Sequence, residues 1–270
     1  MIRDVREQAQ DQAASVTDHR LLGVRVSAMT IPQMHELIDG AVRSRERFVM
    51  VSQNLHSVYT VHRDADLRRA QDLATRIRID GIPIVYFGRM LGLPLATRHR
   101  TGWMDWLDPF MRTAVERGWR VHYVGSKPGI AARGAEILRE RYPGLRFETD
   151  HGYFPLEPGH AEFEAVLDHV RRTAPDVLIV GMGMPRQERF LLHAYERLDV
   201  PVLLTAGACI DYVAGVIPVP PRWLGALGLE WAYRLAAEPR RLWRRYLLEP
   251  WFAIGLFVRD WVALRLRRGA

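Results

Sequence analysis

Six short segments hold most of the residues in this chain that could do chemistry, and each follows an apolar run. They are Ser52-Gln53-Asn54, Asp80-Gly81, Gly125-Ser126-Lys127-Pro128-Gly129, Asp150-His151-Gly152-Tyr153-Phe154, Gly181 through Glu188, and Ala206 through Asp211. Glycine and other small residues let a ligand approach backbone N–H groups, while carboxylates and amides can orient a hydroxyl or take its proton. In an open parallel sheet, ligands bind beyond the carboxyl ends of the strands. If the apolar runs are parallel strands, the six segments converge on one place.

Taken singly, each segment has a plainer reading. Asp80 follows a strand-like run and precedes Gly81, so it is either a helix cap or a poised base, and Asp211 has the same two readings. GSKPG at Gly125–Gly129 resembles a phosphate-cradling turn but lacks both the dinucleotide fingerprint and the Walker spacing, so a plain turn is an equal reading. In GMGMPRQE, Gln187 and Glu188 can bind a ligand or cap a helix. Tyr153 and Phe154 can stack on a base or pack in the core. The ten histidines show no HxxxH or HxH spacing, and no DxD pair appears where a metal-diphosphate clamp would be expected, so neither a metal-dependent mechanism nor a structural zinc site is expected, and no cofactor is expected either. The single cysteine, Cys209, rules out an internal disulfide and fits a reducing compartment.

The elements that must position these residues follow from periodicity. Strands are predicted at 48–51, 76–79, 120–124, 146–149, 177–180 and 202–205, with helical patterns at 31–44, 56–74, 103–117, 129–141, 158–173 and 187–197. That alternation predicts an α/β, Rossmann-like fold with a largely parallel sheet flanked by helices. After Asp211 the alternation stops. Helices are expected at 223–237, 240–248 and 251–268, with Pro239 and Pro250 opening new ones. The predicted organisation is a polar tail over 1–20, an α/β body over 21–217, and a helical appendage over 218–270.

Charge is concentrated in that appendage. Residues 231–270 hold nine arginines against Glu238, Glu249 and Asp260, which is +6 of the net +7, and four of the eight tryptophans. Arginines interleaved with tryptophan and aliphatic residues at helical spacing favour an anionic membrane surface or a lipid diphosphate over nucleic acid. No uninterrupted apolar run is long enough to span a membrane, and the polar N-terminus lacks the apolar core of a signal peptide. The expected location is cytoplasmic, at the inner face of the cell membrane. Two other functions fit parts of the chain: an NAD-dependent oxidoreductase, disfavoured by the missing GxGxxG, and a non-enzymatic membrane-surface or nucleic-acid-binding module, which leaves the strand-end segments idle.

Jointly, and in order, the motifs resemble the bacterial WecG/TagA/CpsF glycosyltransferases. They are Ser52-x-Asn54, Asp80-Gly81, Thr101-Gly102, GSKPG, Tyr142-Pro143, Gly152-Tyr153-Phe154, Pro175-Asp176, GMGMPRQE, Gly207 to Gly215, and GLEWAYRLAAEPRRLWRRY. The resemblance implies a metal-independent, inverting transfer from a UDP-sugar to a polyprenyl-diphosphate-linked saccharide in cell-envelope or exopolysaccharide synthesis. It implies Asp80 as catalytic base. Ser52, Asn54, Arg98, Gly125, Tyr153, Gln187 and Asp211 would then contact substrate, and Arg234, Arg241 and Arg244 would close over the diphosphate. It further implies a homo-oligomer whose appendage completes the site at the membrane. Ser52 stands where relatives commonly carry Thr, Val219-Pro220-Pro221 replaces an Arg-Ala-Pro, and RHRTGWMD replaces acidic and aliphatic neighbours. The donor sugar is left open among N-acetylmannosamine, glucose, galactose and a uronic acid.

Overall fold

The computed structural model describes residues 16–219, 224 and 230–269. The strands are β1 (Thr17–Leu21), β2 (Val24–Ala28), β3 (Phe48–Gln53), β4 (Arg76–Ile79), β5 (Arg120–Gly125), β6 (Arg146–Asp150), β7 (Val177–Gly181) and β8 (Val202–Thr205). The last six form one parallel sheet in the order β4-β3-β8-β7-β5-β6, which bears out the expected α/β architecture. Its central strands are apolar throughout because both faces are covered: every residue of β7 and β8 is buried.

The helices of the body are α1 (Ile31–Ser44), α2 (Leu55–Val61), α3 (Ala65–Leu73), α4 (Ile82–Met90), α5 (Trp103–Arg117), α6 (Ile130–Arg141), α7 (Ala161–Thr173), α8 (Arg186–Arg197) and α9 (Cys209–Val213). On one face of the sheet, α1, α5 and α6 pack around Met34, Ile38, Trp106 and Phe110. On the other, α7 and α8 pack around Phe163, Val166, Phe190 and Leu191. Then come α10 (Glu230–Ala237), α11 (Pro239–Trp243), a π-helical turn (Arg244–Leu248) and α12 (Glu249–Gly269). One side of α12 returns to the body, where Phe252 meets Tyr59 and His62, Phe257 stacks on Phe87, and Glu249 reaches His56 Nδ1 at 2.7 Å.

Several local expectations change. The helical pattern over 56–74 is two helices, because the Asp64 carboxylate accepts the N–H groups of Asp66 and Leu67 and starts α3 afresh. Residues 17–20, read as tail, belong to the β1–β2 hairpin, which pairs antiparallel outside the main sheet. Helix α4 had no counterpart in the sequence reading, since IPIVYF is β-branched and aromatic and only its Pro83 signals a helix start. The segment 240–248 divides between α11 and the π-helical turn. The start of the helix expected at 223–237, Pro220 and Pro221, and most of the polar tail lie outside the described residues.

Candidate active site

Because the six strands run parallel, their carboxyl ends share one edge of the sheet. The connections after β5 and β7 depart in opposite directions there, since β5 leads outward to β6 and β7 leads inward to β8. Such a reversal opens a crevice. The two chains approach closely at that point: Gly125 pairs with Gly181, and a Cβ on Gly125 would lie 2.3 Å from the Gly181 carbonyl oxygen. Gly125 is therefore required by packing between strands, whatever it does toward a ligand.

Asp80 follows β4, the outer strand of the sheet, with β3 and β8 between it and β7. Its Oδ2 accepts a hydrogen bond from Asn54 Nδ2 and its Oδ1 one from Arg78 Nη1, both at 3.2 Å. Asn54 serves twice, because its Oδ1 also accepts the Ser57 N–H at 3.0 Å and so caps α2. Arg78 is almost wholly buried, donates to the Thr101 carbonyl at 2.5 Å, and lies 5.7 Å from the rings of Trp103 and Trp106. Burial pushes the Asp80 carboxyl up. The charge of Arg78, the hydrogen bonds from Asn54 and Arg78, and the charge of Arg245 outweigh it, so the pKa falls below the ordinary aspartate value. The side chain remains 32% exposed, an anion within reach of an incoming group.

The central strand ends are joined by an amide. Gln187 Oε1 accepts the Gly207 N–H at 2.9 Å, and its Nε2 donates to Glu188 Oε1 at 2.7 Å. Both side chains are buried, and the second oxygen of Glu188 has no partner. Burial raises the Glu188 pKa to about 7 against the hydrogen bond from Gln187. Across the crevice, burial likewise raises Asp211, opposed by a hydrogen bond from Ser126 and by the charges of Arg241 and Lys127. Ser52 is buried at the end of β3, and Tyr153 is exposed.

The appendage contributes positive charge. Arg234 and Arg245 both lie in the field of Asp80, and Arg234 has a buried Nε without a partner. Burial lowers the Arg245 pKa, with Arg234 adding to the shift. Arg241 pairs with Glu238. The chain turns at Glu238, before Pro239, so Arg234, Arg241 and Arg244 do not share one continuous helical face. Arg244 is exposed over the Trp243 ring at 5.3 Å, whereas Arg245 is half-buried and lies, with Arg234, in the field of Asp80. Arg98 lines a separate recess of about 460 Å³ with Thr17, His19, Thr30 and Pro94.

Sequence reasoning missed two of these residues. Arg78 was read only as part of a strand, although an arginine among isoleucines two places before a carboxylate is a signal of a buried partner. Arg245 lay beside Arg244 in the same motif, and linear spacing does not separate them.

The sequence model of the glycosyl transferase WecG/TagA/CpsF family matches residues 19–267. Among curated relatives, the N-acetylglucosaminyldiphosphoundecaprenol N-acetyl-beta-D-mannosaminyltransferase of Staphylococcus aureus strain NCTC 8325 / PS 47 is 28% identical over 227 residues, which is 83% of this chain and 86% of the relative. The protein of the same name from strain MRSA252 matches with the same identity and coverage.

Proposed function

Because the chain belongs to the WecG/TagA/CpsF glycosyltransferase family, we propose that it moves a sugar from a UDP-sugar to a polyprenyl-diphosphate-linked saccharide in cell-envelope synthesis. Membership in this family sets aside the oxidoreductase and the non-enzymatic binding module. N-acetylmannosamine is the first donor sugar to test, since it is named in the relatives.

In the proposed reaction, Asp80 accepts the proton of the acceptor hydroxyl as that oxygen attacks the anomeric carbon. The bond to the diphosphate breaks on the opposite face, UDP departs, and the configuration inverts. Arg234 and Arg245 take up the charge that develops on the leaving diphosphate. A diphosphate seated between them also absorbs part of the positive field that holds Asp80 acidic, so donor binding makes the carboxylate a better base. Gln187 fixes the loop after β8, and Asp211 with Ser126 borders the crevice on the side of β5.

The observation that carries this reading is one anionic carboxylate, held by Asn54 and Arg78, in whose field lie two arginines of the appendage. We further propose that the appendage seats on a membrane surface. No helix among the described residues is long and apolar enough to cross a membrane. Yet α12 leaves Trp251, Ile254, Val258, Trp261 and Val262 exposed at spacings of three and four, on the side away from Phe252 and Phe257.

The test is an assay of UDP-N-acetylmannosamine with a short-chain polyprenyl-diphosphate N-acetylglucosamine, with product mass and anomeric configuration read directly. A β-linked disaccharide product formed in the presence of EDTA is expected, and Asp80→Asn should lower turnover by roughly 10²- to 10⁴-fold while UDP still binds. Undiminished turnover by Asp80→Asn would remove the carboxylate from the mechanism.

A further inference from the structure

At the edge of the sheet opposite β4, a second group of side chains converges that glycosyl transfer does not use. His122 lies in the middle of β5, Asp150 ends β6, and His169 lies in α7. His122 Nε2 is 2.9 Å and His169 Nδ1 is 2.8 Å from the same oxygen, Asp150 Oδ2. The three ligand atoms fall within 4.8 Å of one another, and the two rings meet edge to face at 5.0 Å. His122 is fully buried, whereas Asp150 and His169 are 20% and 31% exposed, so the cluster opens to solvent on the α7 side.

The surroundings of His122 suit a ligand. Its Nδ1 lies 2.8 Å from Thr173 Oγ1. The Thr173 hydroxyl reaches the His169 and Val170 carbonyls at 3.2 and 3.1 Å. In the metal-free cluster Nε2 donates to Asp150 Oδ2; with the threonine proton directed to those carbonyls, the hydroxyl is also able to accept from Nδ1–H, the tautomer that turns the Nε2 lone pair toward a cation beside Asp150. Two imidazoles and one carboxylate, with one ring oriented from behind by a hydrogen bond, make a donor set for a borderline cation such as zinc. Around a tetrahedral zinc at about 2.0–2.1 Å, ligand atoms stand about 3.3 Å apart, so the two nitrogen–oxygen pairs need to open by a few tenths of an ångström while the two nitrogens, which lie within 4.8 Å of each other, settle to the same separation.

We propose that His122, Asp150 and His169 form a structural site for a divalent transition metal of the zinc class, separate from the glycosyl-transfer site. Each ring keeps its single proton on the nitrogen away from the metal, and water completes the coordination. The metal clamps the edge strand β6 to β5 and α7. Asp150 leads directly into His151-Gly152-Tyr153, where the Gly152 N–H donates to the Ser126 carbonyl and Arg186 Nε donates to the Gly152 carbonyl, each at 2.8 Å. The clamp therefore steadies one wall of the crevice. Sequence spacing gave no sign of it because the ligands come from three separate elements.

The experiment uses the full chain purified without a polyhistidine tag, stripped with EDTA and titrated with zinc. One equivalent should be retained through dialysis, and zinc at about 100-fold above its Kd should raise the unfolding midpoint by roughly 5–10 °C. In His169→Ala, both the retained zinc and the rise should disappear. No retained zinc in the parent protein, or an equal rise in the variant, overturns the proposal, as expected if the cluster is only a hydrogen-bonded histidine–carboxylate pair. If His169→Ala does not fold, cobalt decides on the parent protein: visible ligand-field bands that one equivalent of zinc abolishes support the site, and their absence overturns it.

Discussion

Arg78 Nη1 lies 3.2 Å from Asp80 Oδ1, and the two residues leave the end of β4 on the same face, separated only by Ile79. The charge of Arg78 is the largest influence holding the carboxyl down, against the upward push of burial. Deleting it lets burial prevail. Arg78→Gln should therefore move the acid limb of the kcat profile to higher pH, so that the loss of rate is larger at pH 5 than at pH 8. In the parent protein the lowered pKa contributes stability above the unfolded pKa and loses it as pH falls through the folded one. Breaking a buried pair from one side should also cost about 3 kcal/mol. Arg78→Lys keeps the charge but not the fork that serves Asp80 and Thr101 together, so it should restore the acid limb more fully than the stability.

Glu188 gives the opposite pH dependence. Burial raises its pKa from 4.5 to about 7. Between those values the folded protein holds a proton that the unfolded chain has lost, so stability falls as pH rises across this window and the penalty is complete above about 7. Glu188→Gln keeps an acceptor for Gln187 and removes the charge. Thermal unfolding at pH 8 should show the variant more stable than the parent, by up to about 3 kcal/mol, with the gap closing as pH drops toward 5. A gap independent of pH would mean that Glu188 is not the titrating group.

The central parallel strands were legible because they are apolar runs, a pattern that burial on both faces imposes on sequence, while the outer strands β4 and β6, RIRI and RFETD, were legible from β-branched and aromatic residues alternating with polar ones. The β1–β2 hairpin was not, because TDHRL is largely exposed and carries no alternation that burial would enforce. Asp80, Asn54 and Gln187 could be named since each follows a strand, and strand ends are where a parallel sheet binds. Which guanidinium of the appendage lies in the field of Asp80 depends on how the appendage folds back on the body, and the His122–Asp150–His169 cluster depends on register and helix placement. Both are tertiary facts that linear spacing does not encode.

Gly125 offers a test of packing apart from chemistry. A methyl group there meets the Gly181 carbonyl at 2.3 Å and the Tyr123 hydroxyl at 2.8 Å, both fixed within the sheet. Gly125→Ala should force β5 and β7 apart at the crevice and cost more than about 2 kcal/mol. Denaturant titration would measure the loss. The control is Gly129→Ala, at a position with open space but a positive φ of 81°, which should cost less, about 1 kcal/mol, through backbone strain alone.

The exposed face of α12 can be tested without disturbing its packed face. Trp251 is 70% exposed and Trp261 42%, and neither takes part in the contacts of Phe252 or Phe257 with the body. Replacing both by Ser should lower the unfolding midpoint only modestly, since Leu256, Phe257 and Leu264, not the tryptophans, pack against the core of the body. Each tryptophan withdrawn from a lipid interface gives up about 1.5 kcal/mol or more, so sedimentation with vesicles containing anionic phospholipid should weaken by at least roughly 100-fold for the pair. Arginines near such a surface add about 1 kcal/mol each, an attraction that salt screens. Binding by the parent protein should fall as salt rises, and the residual binding of the double variant should show the same salt dependence. Turnover of a water-soluble acceptor should survive in that variant while turnover of vesicle-embedded acceptor drops, and an equal drop in both would mean that the tryptophans act on the site and not on the membrane.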